Sequence, residues 1–238
     1  DRDGFFDRRA LRERALAWRD AYAGARPFAH LVVDDFLPRD VAEELAAGFP
    51  KPDHPGWKRR DHAEQSARLG QLQRTNFEGV APRLRHVLNE LNGMAMLDFL
   101  GTLTGVTGWI GDPHFHGAGL HCTLPGGHLA VHADFARDRF RHLDRALTVM
   151  LYLPTRWEAV WGGALELHPD GEGEVVHIAP MPNRLVVMAH GARNWHGHPA
   201  PLACPEGERR QSIAAYYYLA KAPDEDDEAR GAVWRDRA

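Results

Sequence analysis

The stretch GGHLAVHADF, residues 126–135, decides how this chain is read. Two glycines open it, and the residues after them mix apolar and polar types at the short period of a strand in a sheet. His132 and Asp134 stand at i and i+2, so an extended backbone projects both from one face and sets an imidazole beside a carboxylate. Working outward from this stretch, HLAVHADF is followed by RALTVMLYLP, GALELHP, EVVHIAP, RLVVMAH, NWHGHP and QSIAAYYYLA, separated by Gly, Pro and Asp. Strands at this spacing with no helices between them argue a sandwich or jelly roll and not a parallel α/β sheet.

The first 105 residues have a different grammar and read as mainly helical. Residues 5–25 carry Phe5, Phe6, Leu11, Leu16, Trp18 and Tyr22 among Arg and Glu, which predicts a helix ending before ARPFAH. LVVDDFL is a short strand, and RDVAEELAAGF has the acidic first turn of a helix. PKPDHPGWKRRDH reads as loop, and VAPRLRHVLNELNGMAMLDFLGTLTG as two helices, Pro82 opening the first and Gly93 ending it. The expected organisation is a helical N-terminal layer over 1–105 packed on the core, a β core over 106–220, and a charged, mobile tail over 221–238 in which Val233 and Trp234 can dock.

Composition narrows the function classes. With 238 residues, 29 Lys and Arg against 33 Asp and Glu, and a formal charge of −4, no polyanion and hence no nucleic acid is expected as partner. Cys122 and Cys204 form no CxxC, which excludes a four-cysteine zinc site and a disulfide framework and fits reduced thiols. No run approaches the roughly 20 apolar residues of a membrane span. The expectation is a soluble, cytoplasmic protein with no membrane partner.

Fifteen histidines are the unusual count, and His114, His116, His121, His128 and His132 crowd together. A third ligand more than sixty residues beyond His132, at His196 or His198 of NWHGHP, would complete two histidines and one carboxylate around a metal with its other positions open, a set that suits Fe(II). Strand parity does not separate those two histidines, because both face one way if extended and Pro199 keeps His198 extended. Arg210 and Ser212, in ERRQSIAAYYYLA, again share one strand face and can bind a carboxylate through a guanidinium fork and a hydroxyl. A cosubstrate that chelates iron at one end and offers a second carboxylate at the other is 2-oxoglutarate. Two other readings stand beside this one: a cupin-type metalloenzyme built on His114 and His116, which lacks the glutamate expected after such a pair, and a non-catalytic β-sandwich binding module.

Taken in order, HxD, L-x-x-x-LYL, W-x-x-x-x-GG-x-L-E-L, P-x-x-N-R-L-V, WHGHP and R-x-S resemble the Fe(II)/2-oxoglutarate oxygenases of the prolyl-hydroxylase-like group over roughly residues 118–220, with PFAHLVVDDFL similar to the segment that leads into that domain. The resemblance implies a double-stranded β-helix, a cupin-like jelly roll, behind N-terminal helices. It implies that His132, Asp134 and His196 hold Fe(II), that Arg210 and Ser212, joined by Tyr152, bind the distal carboxylate of 2-oxoglutarate, and that His198 lies behind the metal ligands or at the pocket edge, a candidate substrate contact. Gly162, Gly163, Asn183 and Arg184 match positions read as turn and packing features. The implied activity is a dioxygenase that hydroxylates or otherwise oxidises an unactivated C–H bond while 2-oxoglutarate and O2 become succinate and CO2. A carboxylate at Asp134, where the superfamily's halogenases carry a small residue, implies hydroxylation or a related oxidation such as desaturation or ring closure. The expected partner is a small-molecule or amino-acid substrate, and the polar segment ARDRFRHLD makes Arg137, Arg139 and Arg141 candidates for a lid that contacts it.

Overall fold

Along LDRALTVMLY the residues Leu147, Val149 and Leu151 alternate with Thr148, Met150 and Tyr152, and the two sets face different cores. The first set joins a large cluster with the N-terminal helices. Met150 and Tyr152 join a smaller one with Leu165, Leu167, Ile178, Val186 and Met188, enclosed by the sheet. The computed structural model describes residues 5–72, 79–115, 117–134, 137–138, 143–220 and 233–235.

The helices are α1 (Arg8–Gly24), α2 (Arg39–Ala47), α3 (Pro82–Leu91) and α4 (Met94–Thr104). Asp7 caps α1 by accepting from the Ala10 N–H, and Pro82 sits in the first turn of α3, where a missing N–H costs nothing. Leu84, Leu88, Phe99 and Leu100 are fully buried, so the helical layer shares one apolar core with the sheet it covers. No described helix is long and apolar enough to cross a membrane.

The strands are β1 (His30–Val33), β2 (Lys58–His62), β3 (Gln65–Leu72), β4 (Ile110–Gly111), β5 (Gly119–Ala133), β6 (Arg137–Asp138), β7 (Leu143–Tyr152), β8 (Leu165–His168), β9 (Val176–Ile178), β10 (Arg184–Ala189), β11 (Trp195–His198), β12 (Arg210–Ala220) and β13 (Val233–Trp234). Their pairing is antiparallel throughout, in the order β1-β10-β7-β12-β5-β11-β8-β9. Strand β5 belongs to both walls of the barrel. Residues 119–123 pair with β12, residues 129 and 132 pair with β11, and the chain turns between them at Pro125–Gly127, where Gly126 has φ of 77°. This is the double-stranded β-helix that the family resemblance implies, one form of the jelly roll that the strand pattern allows.

One departure from the sequence reading and one agreement with it are informative. The stretch read as loop, PKPDHPGWKRRDH, ends in β2, which pairs with β3, and β3 in turn pairs with β5. All five β2 residues are exposed, so no alternation marks the strand; tertiary pairing creates it. In the charged C-terminal stretch, Val233 and Trp234 do dock, pairing with Ala133 and His132 of β5. Residues 221–232 lie outside the described set.

Asn183, in the left-handed region at φ 59°, exchanges side-chain hydrogen bonds with the backbone of Leu37, while Arg184 forks onto Asp34 at 2.5 and 2.9 Å. These contacts fasten the chain entering α2 to β10 and agree with the packing role read for both residues.

The approach of β11 to β5 requires Gly197. A Cβ there would lie 2.8 Å from the carbonyl oxygens of both Leu129 and Ala130. Gly197→Ala is therefore expected to lower unfolding free energy by about 1–3 kcal/mol, the usual range for overpacking. Urea unfolding measures this, and an unchanged midpoint would mean that the two strands are not held this closely.

Candidate active site

His132 on β5 and His196 on β11 are register partners, with ring centroids 4.6 Å apart. Asp134 follows β5 directly, and its Oδ1 and Oδ2 lie 3.4 Å from the Nε2 atoms of His132 and His196 respectively. Ligand atoms of these three residues lie within 4.8 Å of one another, the sole such group of three or more among the described residues. The hydrogen bonds fix what those atoms offer. His132 Nδ1 meets the Ala130 carbonyl at 2.9 Å, and His196 Nδ1 meets the Asn194 carbonyl at 3.0 Å. A carbonyl only accepts, so each Nδ1 carries the proton and each Nε2 turns a lone pair inward. Two lone pairs and a carboxylate then face one another, a donor set that fits a divalent cation with backbone carbonyls orienting both rings.

Protonation follows from burial. Desolvation first, and then the neighbouring His196, push the His132 imidazole below its usual 6.5 despite the nearby Asp134. Burial alone would raise the Asp134 carboxyl, but surrounding positive charge, that of Arg145 foremost, more than offsets it and holds the group well below the usual carboxylate range.

Arg145 is a member of this site that the sequence reading missed. Its Nη2 donates to Asp134 Oδ2 at 2.6 Å and to Thr148 Oγ1 at 2.9 Å, and its guanidinium lies 3.3 Å from the Tyr216 ring centroid. By simple alternation, Arg145 belongs with Leu147 on the helix-facing side of β7. A register shift against β12, where Tyr217 pairs with Leu147 but Tyr218 with Arg145, inserts Ala146 as an extra residue and turns Arg145 to the side of Thr148. The available signal was an arginine heading an otherwise apolar strand.

A second polar group stands on the same enclosed face. Arg210 is buried, donates from Nε to the Gly163 carbonyl and from Nη2 to Tyr152 Oη, both at 2.8 Å, and lies over the Tyr152 ring. No carboxylate lies within ion-pair distance of Arg210 among the described residues; Glu208, a surface partner it could have had, pairs with Arg156 at 2.7 Å. A buried cation without an anion is costly, so this position fits a bound carboxylate. Ser212 is buried two residues along, opposite Tyr152. Gly163 is more than a turn residue. Its φ is 69°, and a Cβ there would strike Leu202 at 2.5 Å and Trp157 at 3.1 Å, so the glycine lets its loop close over Arg210.

The remaining candidates disperse. His198 is buried on β11 but does not join the three-donor group. Arg137 pairs with Asp144 at 3.0 Å between β6 and β7. His114 is exposed and outside the donor group; His116, Arg139 and Arg141 lie outside the described residues. Cys122 and Cys204 are both free and buried.

Residues 118–218 match the family model described as the 2OG-Fe(II) oxygenase superfamily. His132, Asp134, Tyr152, His196, Arg210 and Ser212 all lie within the matched residues. The match and the three-donor group support a dioxygenase that uses Fe(II), 2-oxoglutarate and O2. Its fold is shared with a prolyl-4-hydroxylase from Pseudomonas putida (TM-score 0.59, 21% identity, 86% of this chain and 98% of that one). It is shared too with a Trichoplax adhaerens prolyl hydroxylase solved with a hypoxia inducible factor peptide fragment (0.54, 19%, 89% and 90%). The third likeness is to SnoN, a non-haem α-ketoglutarate dependent epimerase from nogalamycin biosynthesis (0.56, 19%, 97% and 87%).

The pKa shifts predict how this oxygenase responds to acid. An unfolded chain takes up a proton on His132 near pH 6.5, and on Asp134 near 3.8, that the metal-free folded chain resists. Both shifts therefore make stability fall with pH, first through about 6.5 and again below about 3.8. Chemical denaturation in chelator between pH 7 and 5 is expected to show a smaller loss for His132→Gln than for wild type; equal losses would contradict the assignment.

Proposed function

We propose that this oxygenase hydroxylates, or otherwise oxidises, an unactivated C–H bond of a small molecule or amino-acid residue, with His132, Asp134 and His196 holding Fe(II). When bound, the iron supplies the redox chemistry of O2 activation, at which 2-oxoglutarate is converted to succinate and CO2. The chain's own work is geometric. His132 and His196 present Nε2 because their Nδ1 protons are committed to Ala130 and Asn194. Arg210 receives the distal carboxylate of 2-oxoglutarate, and Tyr152 Oη can turn its proton from Met150 Sδ, now 3.8 Å away, to the incoming anion. Ser212 offers a further hydroxyl, and the apolar wall of Leu165, Leu167, Ile178, Val186 and Met188 keeps bulk water from the interior. His198 serves the pocket edge, outside the metal's ligand set.

One observation carries this reading: β7 reaches both the three-donor group, through Arg145 to Asp134, and, through Tyr152, a buried guanidinium with no acidic partner among the described residues. A preference for a small substrate rests on the acidic net charge.

Substrate-stimulated succinate formation across a panel of amino acids, peptides and small metabolites tests the reaction. Arg210→Ala is expected to raise KM for 2-oxoglutarate about 10- to 100-fold, as loss of one to two charge-assisted hydrogen bonds implies. His196→Ala is expected to abolish iron binding and turnover, whereas His198→Ala retains iron. Unchanged 2-oxoglutarate affinity in Arg210→Ala, or loss of iron in His198→Ala alone, would overturn these assignments.

A further inference from the structure

We infer that Arg145 is the positioning residue of the metal site, holding Asp134 as a one-oxygen ligand so that further coordination positions stay open. The inference rests on the metal-site reading above and adds to it a residue outside the motifs that carry that reading.

Four features support it. Arg145 is placed by the backbone, because the extra residue Ala146 turns it into the barrel and the Ala146 carbonyl accepts from the His190 N–H at 2.9 Å, fixing the bulge. Its side chain is 0% exposed and its plane is set by the Tyr216 ring, so the guanidinium has little freedom to swing away. Thr148 Oγ1 shares the same Nη2, aiming it along the line to Asp134. Finally, at 2.6 Å the contact to Oδ2 is a short charge-assisted hydrogen bond, which engages one carboxylate oxygen strongly and biases the group against chelating a cation with both. Before metal arrives, the same cation counters the mutual repulsion of two inward lone pairs and a carboxylate, so the donors are already arranged. Loss of such an orienting partner typically weakens metal binding about 10- to 100-fold.

The test is Mn(II) binding, read from the electron paramagnetic resonance signal of free Mn(II), with no turnover required. Arg145→Met is expected to bind Mn(II) about 10- to 100-fold more weakly than wild type, in line with other orienting partners. Arg145→Lys, which keeps a cationic donor, is expected to recover most of the loss. Thr148→Val, which removes only the aiming contact, is expected to weaken binding less than Arg145→Met does. Wild-type Mn(II) affinity in folded Arg145→Met, or a folded Lys variant no better than Met, overturns the inference. If Arg145→Met does not fold, Thr148→Val decides, and unchanged affinity there overturns it. His132→Ala separates the two levels. If it binds Mn(II) like wild type, the metal-site reading itself fails; if it loses Mn(II) while Arg145→Met does not, only the role of Arg145 fails.

Discussion

Two imidazoles whose Nδ1 protons are spent on backbone carbonyls must turn bare lone pairs toward a buried carboxylate, and this confrontation of acceptors is the constraint around which the molecule is arranged. In a low-dielectric interior such a set is unfavourable unless positive charge is supplied. The chain supplies some itself through Arg145, and the metal ion proposed for this site would supply the rest. Everything that fixes the three donors, from the register of β5 against β11 to the missing side chain at Gly197, acts by keeping them from relaxing apart.

The barrel is what makes this possible. Strand β5 crosses from one wall to the other, so its first half meets β12, which carries Arg210, and its second half presents His132 to His196. Alternation along β7 then separates the functions of its two faces. Leu147, Val149 and Leu151 anchor the helical layer, while Thr148 and Tyr152 reach Arg145 and Arg210 respectively. Among the described residues, none of the four helices supplies a member of the three-donor group. Their role is to cover the outer face of a sheet whose inner face must stay polar at two points.

Much of this was legible in the sequence, for identifiable reasons. The seven strands from HLAVHADF to QSIAAYYYLA announce themselves because each buries at least one face, and i, i+2 pairs such as His132 with Asp134 and Arg210 with Ser212 need only an extended backbone to be read. What could not be read depends on partners. The exposed residues of β2 carry no periodic signal and become a strand only by pairing with β3. Arg145 escaped because its side is set by a bulge at Ala146, a feature of register against β12 that alternation within β7 misassigns. The difference between His196 and His198 likewise came from the family resemblance, since strand parity treats them alike.

The central claim is that the donors of β5 and β11 and the guanidinium of β12 form one prearranged site for Fe(II) and 2-oxoglutarate. Anaerobic addition of Fe(II) and then 2-oxoglutarate to the folded protein, followed by visible absorption, tests it without knowledge of the substrate. The account predicts a weak charge-transfer band that develops only when both are present and that is lost in His132→Ala. A folded wild-type protein showing no band at saturating Fe(II) and 2-oxoglutarate would contradict it.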